Sequence, residues 1–285
     1  NGVAVGSTTT ANNSNSTAVG NSAGVWGDNG TAIGNGTIVN KQGGTAAGNA
    51  ARAGGEDSTA IGNTALAAGN NTIAAGKSAS ASGIDSSSIG SNSKSIGDNS
   101  TALGSSSRAQ GASSTVIGNL AEAHGVNSTA VGNDTYALRD GSTAVGNYSQ
   151  AFSVNSTAVG NGSASNGESA SAIGHNAGAW SAHGTAVGDS SSVGAAYGTA
   201  VGNEALSRGE ASTALGNNAS AYGDYSTSAG KDSEAWGENS VAIGSSSKTS
   251  SLAANSVAVG YGSVANEANN VSFGSDTLKR QLTNV

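Results

Sequence analysis

The sequence contains no cysteine, no proline and no methionine, and aromatic residues make up only 4% of it. The absence of cysteine suits many compartments and selects none. The absence of proline is more telling. Low hydrophobicity with abundant Gly, Ser and Asn ordinarily signals disorder, yet disordered linkers are usually rich in proline. Basic residues are few: 11 Lys and Arg, scattered without a cluster under a net charge of −7, which excludes a nucleic-acid-binding surface. No apolar run approaches the roughly 20 residues that cross a bilayer, so direct membrane insertion by this segment is excluded. The chain opens on Asn1 without a signal peptide, so we expect a processed piece of something longer.

The small residues that remain are strictly ordered. Stepping by 14 from Gly6 reaches a glycine every time up to Gly244, 18 in all; a 16-residue step then reaches Gly260, and 14 more reach Gly274. Counting that glycine as position 14, position 13 is Val, Ile or Leu except at Ala47, Ala75 and Ala229, position 12 is nearly always Ala, and position 11 is mostly Thr. Position 1 is commonly Asn, positions 3 and 5 are small, and position 7 is often Gly. Two short alternating stretches per repeat, separated by Gly- and Asn-rich turns, predict two short strands per repeat.

Strands of three or four residues are not stable alone. If each repeat is one turn of a coil, equivalent positions stack about 4.8 Å apart and the strands pair with the turns before and after. Alternation places positions 11 and 13 on one side of the second strand and 12 and 14 on the other. The large residue is expected inside, so Val19, Ile33, Ile61, Ile117, Val131, Val187 and Ile243 form the predicted inward core. The small residues Ala18, Ala32, Ala60, Ala130, Ala186 and Ala242 then face outward, with the position-14 glycines, as a face for close approach by other chains. Position 4 varies freely through Arg52, Leu66, Lys94, Glu122 and Tyr136, as a solvated display side does.

Ser16-Thr17-Ala18-Val19-Gly20 and Ser240-Val241-Ala242-Ile243-Gly244, repeated in this register, resemble the head repeats of trimeric autotransporter adhesins, the YadA-like family. The stretch Ser256–Asn266, followed by Asn269-Asn270-Val271-Ser272-Phe273-Gly274 and Arg280–Val285, resembles the neck that ends such heads. The resemblance covers the whole chain. It implies an all-β, left-handed parallel β-roll of 14-residue repeats assembled as a homotrimer, with a head over residues 1–255 and a neck with the start of a coiled-coil stalk over 256–285. It makes the Ala face the trimer face and implies display on the outer membrane of a Gram-negative bacterium. Leu278, Leu282 and Val285 lie at the spacing of a starting helix.

Position 6 carries the candidate ligand contacts Trp26, Phe152, Trp180, Tyr222 and Trp236. Tyr222 and Trp236 fall on successive turns and should stack. The strip is read either as a sticky surface for a protein or glycan, or as rings that cover an edge between subunits. Acids gather at position 8, including Glu210, Asp224 and Glu238 on consecutive turns. Such a column is either a cation site or a solvated polar edge; we take the second, and expect no metal and no cofactor. His124, His175 and His183 have no ligand spacing, although His175 and Asp189 share position 1 on adjacent turns and should pair. A uniform coil of small residues offers no concave, water-excluding site, so no enzymatic activity is expected. The expected function is attachment, to host extracellular matrix or cells or to other bacteria, through a multivalent trimeric surface. The alternative is a passive spacer that projects another module. Ice binding, suggested by the Thr column, is set aside because alternation turns that column inward.

Overall fold

The computed structural model describes residues 1–283. The chain forms two compact units, Asn1–Val145 and Gly146–Val285. Both are parallel β-solenoids, and no described residue is helical, so no described helix is long and apolar enough to cross a membrane. Each turn supplies a three-residue strand at positions 11–13 and a two-residue strand at positions 4–5. In the first unit, Thr17–Val19 pairs residue for residue with Thr31–Ile33, and Arg52–Ala53 pairs with Leu66–Ala67. In the second, Thr185–Val187 pairs with Thr199–Val201, and Glu234–Ala235 with Lys248–Thr249.

The interior is narrower than the sequence pattern suggests. Ala18, Ala32, Ala60, Ala130, Ala186 and Ala242 are each 0% exposed and point into the coil. They meet the small residues of the opposite strand, such as Ala23, Val25, Ala65 and Ala67. The predicted inward residues face the other way. Ile33, Ile61, Ile117 and Ile243 are between 44% and 49% exposed, and Val19, Val131 and Val187 are half-buried on the outside. The phase of the second strand is therefore the reverse of the expected one. Its physical cause is space: with Ala or Ser at positions 3, 5, 10 and 12, the two strands approach until only methyls and hydroxyls fit between them. The largest fully buried side chains are four valines, Val25, Val39, Val116 and Val193.

Serines and threonines finish this interior at its corners. Position 10 hydroxyls donate to the position 7 carbonyl, as Ser58 Oγ does to Gly55 O at 2.7 Å and Ser128 Oγ to Gly125 O at 2.6 Å. Position 3 hydroxyls do the same for the glycine carbonyl at the other corner, as Ser107 Oγ does to Gly104 O at 2.9 Å. Each bond satisfies a carbonyl that turns out of the strand ladder.

The position 14 glycines are required by the chain itself, not by a partner. Gly62 has φ 131°, and a Cβ there would lie 2.4 Å from the carbonyl oxygen of Gly76, one turn on. The turns at positions 2 and 9 hold left-handed residues, among them Asn29, Asp57, Leu120 and Tyr225 at φ 50–58°. Asn and Asp tolerate that conformation better than other non-Gly residues, because their short polar side chains bond locally.

The 16-residue turn keeps its register. Val241–Ile243 still pairs in step with Val257–Val259. The Trp236 amide reaches Thr249, while Gly237 backs onto Ala253. Ser250, Ser251 and Leu252 therefore stand where a regular turn has one residue. The coil continues through the strands Val264–Ala265 and Val271–Ser272, and the chain then folds back over the last turn. There Arg280 donates to Ser263 Oγ at 2.7 Å, and to the carbonyls of Phe273 and Tyr261. The expected helix is not present over residues 278–283; its third contact, Val285, lies outside the described residues. A single short helix of this length has no stability without partners to pack on.

Candidate functional site

Because position 5 points inward, positions 4 and 6 stand on the outer surface of the first strand. Trp26, Trp180 and Trp236 are 50%, 50% and 43% exposed, and Phe152 and Tyr222 are half-buried. The structure brings Tyr222 and Trp236 together, and leaves Trp26, Phe152 and Trp180 each on a turn of its own. Trp26 and Trp180 share a feature that the sequence displays as Gly-x-Trp but that alternation alone does not explain. A Cβ on Gly24 would lie 2.3 Å from the Trp26 ring, and one on Gly178 would lie 2.7 Å from Trp180 Nε1. Each indole lies back over the glycine two residues earlier.

Trp236 has Glu234 in place of that glycine and is held differently. Its ring stacks on Tyr222 with centroids 3.8 Å apart and planes 16° from parallel. Arg208 lies over Tyr222, 5.7 Å from the ring centre, one turn earlier. Trp236 Nε1 donates to Glu234 Oε2 at 3.0 Å, and Lys248 Nζ donates to Glu234 Oε1 at 2.7 Å. Partial burial of the Glu234 carboxyl opposes its ionisation, but these two donors outweigh it and hold the group below the ordinary glutamate range.

The aspartates of position 8 serve the backbone. Asp98 Oδ1 accepts from the amide of Ile84, Asp140 Oδ1 from that of Val126 and Asp224 Oδ1 from that of Glu210, each at 2.8 Å and one turn back. No group of three or more His, Cys, Asp or Glu side chains suited to a metal occurs among the described residues. His175 Nδ1 and Asp189 Oδ1 pair at 2.5 Å, as their shared position implies, and His124 Nε2 lies 2.8 Å from Glu122 Oε2. Tyr136 donates its hydroxyl to Asp134 at 2.6 Å, and that bond, with burial and the nearby carboxylate charges, raises its pKa to about 12.

The second outer surface lies on the 11–13 strand. Threonine at position 11 and an aliphatic residue at position 13 both point outward, so the expectation of an inward Thr column is also reversed. One large aliphatic side chain stands on this face in nearly every turn of each unit.

Fold and surface together define a repeat-built parallel β-solenoid with two unlike outer surfaces. The YadA head domain repeat matches residues 1–37, 40–191 and 207–277 in overlapping two-copy windows. The chain belongs to this family and is an adhesin head. Among solved structures, the collagen-binding domain of the Yersinia adhesin YadA matches with 31% identity, covering 58% of this chain and 75% of that one, at a TM-score of 0.32. No curated protein matches the chain.

Proposed function

We propose that the chain is the binding head of a homotrimeric adhesin on the bacterial surface, attaching to host extracellular matrix or cells or to other bacteria. The observation that carries this reading is the pairing of two unlike outer surfaces. The face of positions 11 and 13 is nearly constant, weakly polar with threonine and an aliphatic residue in most turns, and uncharged, the property of a surface made to be buried. The face of positions 4 and 6 changes from turn to turn and carries half-exposed tryptophans. Burial of the first in a three-fold assembly leaves three copies of the second outward, and three copies of a weak contact add through avidity. The trimer face then consists of the position 13 aliphatics and position 11 threonines; a left-handed roll and a neck over residues 256–285 belong to the same reading, which the family match supports.

An outward Thr column removes the ground on which ice binding was set aside; burial of that column between subunits supplies a better one. A pure spacer has no use for exposed indoles, which favours binding through the head. The test is adhesion of the folded head to a panel of matrix proteins, collagens included, and glycans. The parent is compared with a Trp180→Ala, Tyr222→Ala, Trp236→Ala variant whose fold is checked by circular dichroism. Binding that collapses in the variant supports the aromatic column as the contact. Equal binding by both moves the contact to the turns, and no binding by either supports the spacer.

A further inference from the structure

Arg208, Tyr222 and Trp236 form a ladder with unlike ends. At the first end a guanidinium of the chain covers the Tyr222 ring. At the other, no ring or cation covers the far face of Trp236 among the described residues. That face looks toward the one turn of irregular length, where Ser250, Ser251 and Leu252 replace a single residue. Leu252 is 79% exposed, the most of any large hydrophobic side chain described. Two residues after Trp236, Glu238 is exposed; its backbone carbonyl accepts from the Asn255 amide just past the insertion, and its carboxylate has no hydrogen bond or ion pair among the described residues.

We infer that the free face of Trp236 binds an arginine-bearing, apolar segment of a partner protein. The partner's guanidinium repeats on Trp236 what Arg208 does on Tyr222, Glu238 neutralises it, and a neighbouring apolar side chain covers Leu252. Charge favours this occupant. The chain carries −7 overall, and the two local cations are already engaged, Lys248 with Glu234 and Arg208 with Tyr222. Cation–π attraction is strongest on indole and grows as the site loses water. The Ser251–Leu252 insertion has a role in this arrangement, since it supplies the exposed apolar wall of Leu252 while the strands beneath keep their register.

The inference rests on the adhesin reading and specifies one contact within it. The probe is a short blocked peptide of alternating leucine and arginine, measured by surface plasmon resonance on the immobilised head. A second peptide carries citrulline in place of arginine. Variants Trp236→Ala and Leu252→Ser are compared with the parent, and Leu120→Asn, on a different corner, serves as control. The expected result is saturable binding that weakens about tenfold with citrulline and severalfold in each of the two variants. It falls with added salt and is unchanged by Leu120→Asn. Equal binding by all variants overturns the site in favour of diffuse capture by acidic groups. Equal binding of the citrulline peptide overturns the cation. No binding to the folded parent overturns both, as does a preference of the same site for a glycan from the panel. A parent that holds a matrix protein undiminished by Trp236→Ala retains the adhesin reading without this site.

Discussion

The two outer surfaces of the coil obey different rules. On the 11–13 strand the same pair, threonine and an aliphatic residue, recurs turn after turn. On the 4–5 strand and its corner, charged, aromatic and small residues alternate without pattern. Both surfaces are built on the same kind of parallel ladder, so backbone geometry does not separate them. Demand does. In the proposed trimer the constant face meets identical copies of itself and must present complementary chemistry at every level, whereas the varied face meets water or a foreign ligand and is free to vary.

The sharpest way to break the comparison is to put charge on the constant face. Ile61→Asp combined with Ile117→Asp is expected to turn a trimer into a monomer by light scattering, while Arg52→Asp combined with Lys94→Asp on the varied face leaves the trimer intact. A trimer that survives the first pair would remove this face from the assembly. Next in size is the glycine column. Gly62→Ala pushes a Cβ to 2.4 Å from a carbonyl at φ 131°, whereas a Cβ on Gly36, at φ 61°, meets nothing within 4 Å. The first is expected to cost about 3–5 kcal/mol in urea unfolding and the second about 1 kcal/mol. Similar losses would mean that the close approach of turns relaxes freely.

Inside the coil, Ser128→Ala strands the Gly125 carbonyl and is expected to cost about 1–2 kcal/mol, against less than about 0.5 kcal/mol for the exposed Ser105→Ala. The smallest effect belongs to Tyr136. Its pKa is raised from 10.0 to about 12, so its hydrogen bond to Asp134 contributes fully below pH 10 and is lost as pH climbs through 12. Phenolate absorbance should show a late-titrating step, absent in Tyr136→Phe and moved to lower pH in Asp134→Asn. A titration with no late step would place the hydroxyl in water.

Period, glycine column and strand positions were all legible in the sequence, because a 14-residue register leaves no competing alignment. The stacked Tyr222–Trp236 pair was legible for the same reason. The inside-out phase of the 11–13 strand was misread, since the rule that large apolar residues go inside presumes an interior wide enough to hold them. The corrective signal was present. Ser58 and Ala60, at positions 10 and 12, are both small, as are Ala65 and Ala67 on the opposite strand, and an inward Thr59–Ile61 pair would have left a hydroxyl without a designated acceptor. Gly24 and Gly178 were visible too, but only the ring positions explain them. Glu234, which anchors Trp236, stands at position 4, where free variation signals only a solvated surface, so nothing in the pattern pointed to that role.

The corner serines and the glycine column have a consequence for inheritance. Every 14-residue turn joins the next through backbone bonds that recur 14 residues later, so the two ends of such a turn are chemically equivalent. Unequal recombination between repeats can delete or duplicate a turn and leave a seam indistinguishable from every other. Reach thereby becomes a matter of copy number, adjustable by selection without redesigning the interior or the ligand contacts.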